Sequence, residues 1–179
     1  MRSGEAGGCG GRLREFEIIR LKTVRQCRLR WLVLALIFVV GVVVNYVWEL
    51  AQAPLYVGLE RYTAAVFWHC FVASLGDGIM VLLIVAAGWI TLQEENWFEH
   101  PAVPGYIVML TTGFLLAVLV EWVGVHVLGR WQYTETMPVV PGLGVGVVPI
   151  AQMLLLPPVI FWIVAIFEAR KPEVTSASK

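Results

Sequence analysis

Three carboxylic acids sit in long apolar surroundings: Glu49, Asp77 and Glu121. An acid in an apolar pocket can hold a proton near neutral pH. Such a group can protonate an olefin or move a proton across an apolar substrate. Asp77 and Glu121 are therefore the candidate proton donor and acceptor, with His69 and Glu49 tuning or relaying. Aromatic faces stabilise a carbocation, and Trp48, Trp68, Trp122 and Trp131 fall near the same level of the chain. Asn45 lies one helical turn before Glu49 on the same face, and Gln52 follows three residues after it. His126, Arg130, Tyr133 and Gln152 complete the candidate substrate-binding set. Plainer readings stand beside these. Tryptophan is enriched at membrane interfaces, Glu49 and His126 could simply be hydrated near span ends, and the glycines flanking Asp77 permit close helix approach.

Metal chemistry has the ligand types but not the spacing. Glu121 and His126 are five residues apart, about 140° around a regular helix. There is no HExxH and no Glu-x-x-His pair. His69 and His126 on neighbouring helices could ligate a b-type haem, but no second His pair or glycine-lined groove accompanies them. The pattern calls for no cofactor and no metal. Cys9, Cys27 and Cys70 form no CxxC pair and suggest neither a disulfide relay nor a thiolate site.

The elements that must position these groups follow from charge and hydropathy. The chain has 179 residues, 59% apolar and 15% charged, with zero net charge. A soluble domain carries about 25% charged residues. Of the 26 charged residues, 11 lie in positions 1–30 and 5 in positions 168–179, leaving 10 for the 137 residues between. So few charges cannot cover a water-facing surface. This excludes a soluble enzyme domain, a disordered chain and a disulfide scaffold, and the lack of a basic face argues against a nucleic-acid partner.

Four apolar stretches, at residues 31–48, 64–91, 106–128 and 145–167, suit the roughly 20 residues needed to cross ~30 Å of hydrocarbon. The expected fold is an all-α polytopic membrane protein: a four-transmembrane-helix bundle between a basic segment (1–30) and a short tail (168–179). Eleven Lys and Arg fall in the two terminal segments and two in the first and third loops. This places both termini on the cytoplasmic side of the inner membrane. A cleaved signal peptide at Ala51-Gln52-Ala53 is disfavoured by the 18-residue apolar run and by Pro54. Residues 4–14 read as loose. Residues 12–30 read as a solvated tail, with an interfacial helix on the inner leaflet as the alternative.

With this topology the polar groups of all four spans gather in the outer half of the bilayer, which suggests a polar cavity there. Residues 129–146 contain Trp131, Tyr133 and a Pro/Gly run that cannot form a regular helix. They form either a lid over the cavity mouth or an aromatic belt followed by a turn. Pro149, Pro157 and Pro158 are expected to break or kink the fourth helix.

The stretch Trp131-Gln132-Tyr133, the glycines at 142–146, Val148-Pro149-Ile150-Ala151-Gln152 and Leu156-Pro157-Pro158 resemble the end of the membrane lycopene cyclase domain of carotenoid synthesis. That family carries paired glutamates after the proline, where this chain has Ala151 and Gln152. The four-span size with acids and His also looks like the emopamil-binding sterol isomerase superfamily, at the level of architecture. Asn45-Tyr46-Val47-Trp48-Glu49, Trp68-His69-Cys70 and Glu121-Trp122 look most like a small bacterial four-helix membrane family without an assigned activity. These resemblances imply isomerase, cyclase or hydratase chemistry on an isoprenoid or other lipid. A non-catalytic membrane subunit or lipid-binding protein is the alternative. The partners expected are membrane lipids or an isoprenoid substrate, and a homo-oligomer stays open.

Overall fold

The computed structural model describes residues 8–170, with side chains from residue 30 onward. The chain divides into two units, Met1–Ala35 and Leu36–Lys179, and the second holds every candidate site residue. Helix α1 spans Gly8–Gln52, α2 Ala64–Leu92, α3 Val103–Trp122 and α4 Val147–Ala169. A single 3₁₀ turn, Ala53–Leu55, ends the α1 region, and a π-helical turn, Val123–Val127, extends α3. Among the described residues, four helical segments are long and apolar enough to cross a membrane: Arg30–Leu55, Ala64–Leu92, Val103–Val127 and Val147–Ala169.

Residues 8–14, expected to be loose, belong to α1. Once a helix exists, each added residue contributes a hydrogen bond without a new nucleation cost, which offsets the glycines there. Residues 4–7 and the tail beyond 170 lie outside the described residues. The termini of α2 are legible locally. The Thr63 hydroxyl caps its start by accepting from the Val66 N–H at 3.4 Å. Gln93, at φ 57°, turns left-handed and stops it.

The fourth helix is not broken. Pro149 lies in the first turn, where an N–H has no helical partner anyway, and α4 continues through Pro157 and Pro158. Pro157 leaves the Met153 carbonyl without its usual i+4 donor, and that oxygen packs against α3 at Gly113, where a Cβ would collide with it. The carbonyl freed by Pro157 is thus met by a close backbone approach of α3, and the helix continues.

Two further contacts set the helices. Gly78 of α2 lies against Phe38 and Val42 of α1, with no room for a Cβ, whereas Gly76 has open space. Of the two glycines flanking Asp77, one serves packing and the other opens space beside the acid. In the α2–α3 connection, the Trp97 indole occupies the space a Cβ at Gly88 would need and donates to the Val85 carbonyl at 3.2 Å. Trp97, Phe98 and Phe161 form an aromatic trio, each of the first two 5.7 Å from Phe161. The Pro/Gly run is a small hairpin. Val139–Val140 pairs antiparallel with Val145–Gly146, and Gly142 and Gly144 take the positive φ values the turn needs. Val145 is fully buried against Ala117, Ile150 and Met153.

Candidate functional site

Asn45, Glu49 and Gln52 repeat at spacings of four and three, so α1 presents them as one stripe. Gln152 of α4 meets that stripe. Its Nε2 lies 2.8 Å from Asn45 Oδ1, 2.9 Å from Asp77 Oδ2 and 3.3 Å from Glu49 Oε1. Gln52 Nε2 donates to Glu49 Oε1 at 2.7 Å and to Gln152 Oε1 at 3.0 Å. Trp48 Nε1 donates to Gln52 Oε1 at 3.2 Å, and Asn45 Nδ2 donates to the Gly41 carbonyl at 2.8 Å. Asn45, Gln52, Asp77 and Gln152 are all buried. Three helices therefore converge on one amide, and it draws Glu49 and Asp77 together.

Glu121 is held differently. Its Oε2 accepts from the Tyr133 hydroxyl and, at 3.3 Å, from Trp131 Nε1. Both donors come from the loop after the π turn. The Trp131 ring fills the space above Gly124, where a Cβ would collide with it. The π turn also carries the Leu128 N–H to the Val123 carbonyl at 2.9 Å, starting the turn back toward the helices. The Tyr133 oxygen accepts from the Gly146 N–H at 2.9 Å, and its ring lies 5.6 Å from Tyr56. Main-chain bonds tie this loop to the end of α1: Val57 N–H to the Gln132 carbonyl and Thr134 N–H to the Leu55 carbonyl, each 2.9 Å. Burial pushes the phenols of Tyr56 and Tyr133 above the usual tyrosine range, and the nearby Glu121 carboxyl acts in the same direction. Tyr133 thus stays a donor to Glu121.

Glu49, Asp77 and Glu121 all line one cavity of about 240 Å³. Gln52, His69, Cys70 and Gln152 add polar groups to its wall. Met80, Ala117, Val120 and Met153 make apolar lining, and Tyr56 and Trp131 supply aromatic faces. Among the described residues, no Lys or Arg lines it. An apolar chamber with a few convergent polar groups is the usual form of a small-molecule site.

Of the residues expected at a site, Glu49, His69, Asp77, Glu121, Trp131 and Gln152 line this cavity. The others are elsewhere. Asn45 and Trp48 act behind it through Gln152 and Gln52. Tyr133 acts behind Glu121. Trp68 is two-thirds exposed and packs on Phe71, 5.7 Å away. Trp122 packs on His126 at 6.0 Å, and His126 Nε2 lies 3.1 Å from the Leu143 carbonyl. Arg130 is exposed. The regular-helix angle between Glu121 and His126 does not apply, because the π turn intervenes. Tyr56 is an aromatic lining residue that the sequence pattern misses. It follows the end of α1, where no helical period reaches it, and the Tyr56–Tyr133 bridge that places it is a tertiary contact. Among the described residues, no group of three or more His, Cys, Asp or Glu is arranged to hold a metal ion.

The chain matches no family model, no curated protein and no solved structure.

Proposed function

We propose that this integral membrane protein is a four-helix bundle with a polar cavity in the outer half of the inner membrane, both termini being cytoplasmic. In this reading it is an isomerase, cyclase or hydratase that uses acid–base chemistry on an isoprenoid or another lipid. The observation that carries the reading is three carboxyl groups on the wall of one otherwise largely apolar cavity. An ionisable group at membrane depth costs several kcal/mol unless it is paired or wetted, so it marks a functional site by default.

The chemistry follows from the acids and aromatic rings that line this cavity. A proton passes from the carboxyl group of Asp77 to an olefinic carbon, leaving a carboxylate and a carbocation. Trp131 and Tyr56 face that cation with their rings. Loss of a proton from a neighbouring carbon to Glu121 regenerates a double bond and gives an isomer. Attack by a second double bond before that loss gives a ring, and capture by water, with its extra proton passing to Glu121, gives an alcohol. The resemblance to the lycopene cyclase domain and to the small bacterial membrane family belongs with this proposal.

The test is lipid extraction and mass spectrometry of the purified protein, followed by incubation of the extracted polyprenoid with the protein in D₂O. Deuterium entering the olefin reports proton transfer. Asp77→Asn and Glu121→Gln should each lower incorporation by about 10³-fold, within the range expected of general acid–base groups, with expression intact. Full activity in both variants would show the assignment to be wrong. A second reading, a non-catalytic lipid-binding subunit, is favoured by one observation: Asp77 and Glu121 are both hydrogen-bonded within the protein. Co-purifying phospholipid without deuterium incorporation would select it.

A further inference from the structure

We infer that Gln52 and Gln152 form a polarised amide relay that positions Glu49 and Asp77 and stabilises the carboxylate left when Asp77 gives up its proton. This rests on the acid–base reading above and assigns Gln152 a positioning role rather than a substrate-binding one.

The direction of the relay is fixed by its two ends. An indole N–H only donates, and a main-chain carbonyl only accepts. Trp48 Nε1, 3.2 Å from Gln52 Oε1, therefore turns the Gln52 oxygen toward itself and its NH₂ group toward Glu49 and Gln152. Gln152 must then offer its oxygen to Gln52, so its NH₂ group faces Asn45 Oδ1 and Asp77 Oδ2. At the far end the Gly41 carbonyl accepts from Asn45 Nδ2 at 2.8 Å, which leaves the Asn45 oxygen for Gln152. Reversing any one amide would set two donors or two acceptors against each other at both of its ends. In a buried site such a mismatch costs about 1–3 kcal/mol per orphaned group.

The consequence for the acids is specific. Both Glu49 and Asp77 receive N–H donors from the relay. Gln152 Nε2 has two hydrogens, and its two short contacts, to Asn45 and Asp77, use them, so the 3.3 Å approach to Glu49 is secondary. Gln52 serves Glu49 instead, at 2.7 Å. Each acid thus has its own amide donor, and the two amides are coupled by the 3.0 Å Gln52–Gln152 bond. An N–H aimed at a carboxyl oxygen is worth more when that carboxyl becomes an anion. A donor already in place needs no reorganisation when charge develops. The relay is accordingly suited to the donor side of the reaction. Glu121 has no part in it and takes its donors from Tyr133 and Trp131.

The experiment compares Gln152→Leu, Gln152→Glu and Gln52→Leu with the unmodified protein in detergent or vesicles, using two readouts. The first is deuterium incorporation into the bound polyprenoid, resolved into kcat and KM. Loss of one preorganised donor should lower kcat by about 10²-fold, as with oxyanion-hole donors, and leave KM nearly unchanged. Gln152→Glu keeps the shape but replaces the NH₂ donor, so it should not restore the rate. The second is the infrared carboxyl band that disappears in Asp77→Asn, which needs no substrate. It should shift in Gln152→Leu, and a smaller shift should follow in Gln52→Leu through the amide bond between them. A merely structural role would lower the melting temperature without moving this band. An unshifted band in both leucine variants overturns the relay. A shifted band without any deuterium incorporation in the unmodified protein keeps the relay's geometry and overturns the acid–base reading on which its catalytic role rests. A shifted band with an unchanged kcat overturns the stabilising role.

Discussion

The two walls of the cavity hold their acids by different means. Glu49 and Asp77 are held by side-chain amides that project from α1 and α4, and these helices pack closely on α2 at Gly78 and on α3 at Gly113. Glu121 is held by two aromatic side chains on a loop. That loop is itself anchored by main-chain bonds to the end of α1 and by the Gly146 N–H. An amide on a packed helix moves only if the helix moves. A loop residue can leave by breaking a few bonds, because loops occupy the low-stability end of local opening. Opening the first wall therefore requires a helix to move, whereas opening the second requires only loop bonds to break.

Breaking the helix-held wall should have the larger effect on stability. Asn45→Ala removes the acceptor of one Gln152 hydrogen and leaves a buried space where the side chain was fully enclosed. The expected loss is about 2–3 kcal/mol, near the upper end for one orphaned buried group. It would be read as a lower midpoint of thermal unfolding in detergent. An unchanged midpoint would mean that the helices, not the amide network, supply the rigidity of that wall.

Tyr133→Phe tests the loop-held wall and should cost less, about 1–2 kcal/mol, because Tyr133 is only partly buried and water can replace the partners it loses. Its signature is local rather than global. Amide exchange at Gly146 should quicken and Trp131 fluorescence should shift toward that of a wetted indole, while the Asn45–Gln152 side keeps its protection. Equal loosening on both sides would remove the distinction between the walls.

The smallest effect appears only in alkali. Burial holds the Tyr56 and Tyr133 phenols above their ordinary range. A phenol whose proton is held more tightly when folded contributes stability that is fully present below the ordinary value near 10 and is lost as pH rises above it. Tyrosinate absorbance from these two residues should therefore emerge together with unfolding rather than before it. Tyr56→Phe and Tyr133→Phe should each remove one equivalent of that late absorbance. Smooth titration of both in the folded protein would show that the loop-held wall is open to water.

What the sequence determined by itself is what is local. Four apolar stretches are recorded in composition and length, and the helices coincide with them to within a few residues at most boundaries. The acids stand out because so few charges interrupt those stretches, and the 4-and-3 spacing puts Asn45, Glu49 and Gln52 on one face before any tertiary contact is known. At Pro157 the helix runs on unbroken, with the freed Met153 carbonyl set against a glycine 40 residues earlier in the chain. Likewise, Trp68, Trp122 and Arg130 had the right residue types but lie away from the cavity, which side-chain type alone cannot reveal. Only the tertiary structure decided which polar groups meet. Gln152 bonds to residues 107, 103, 100 and 75 positions away, and Glu121 takes its donors from beyond a π turn whose altered period no regular helix predicts. Hydropathy records the cost of leaving each stretch in water. It carries no information about which buried amide will satisfy which buried acid, because that pairing is fixed by how the helices pack against one another.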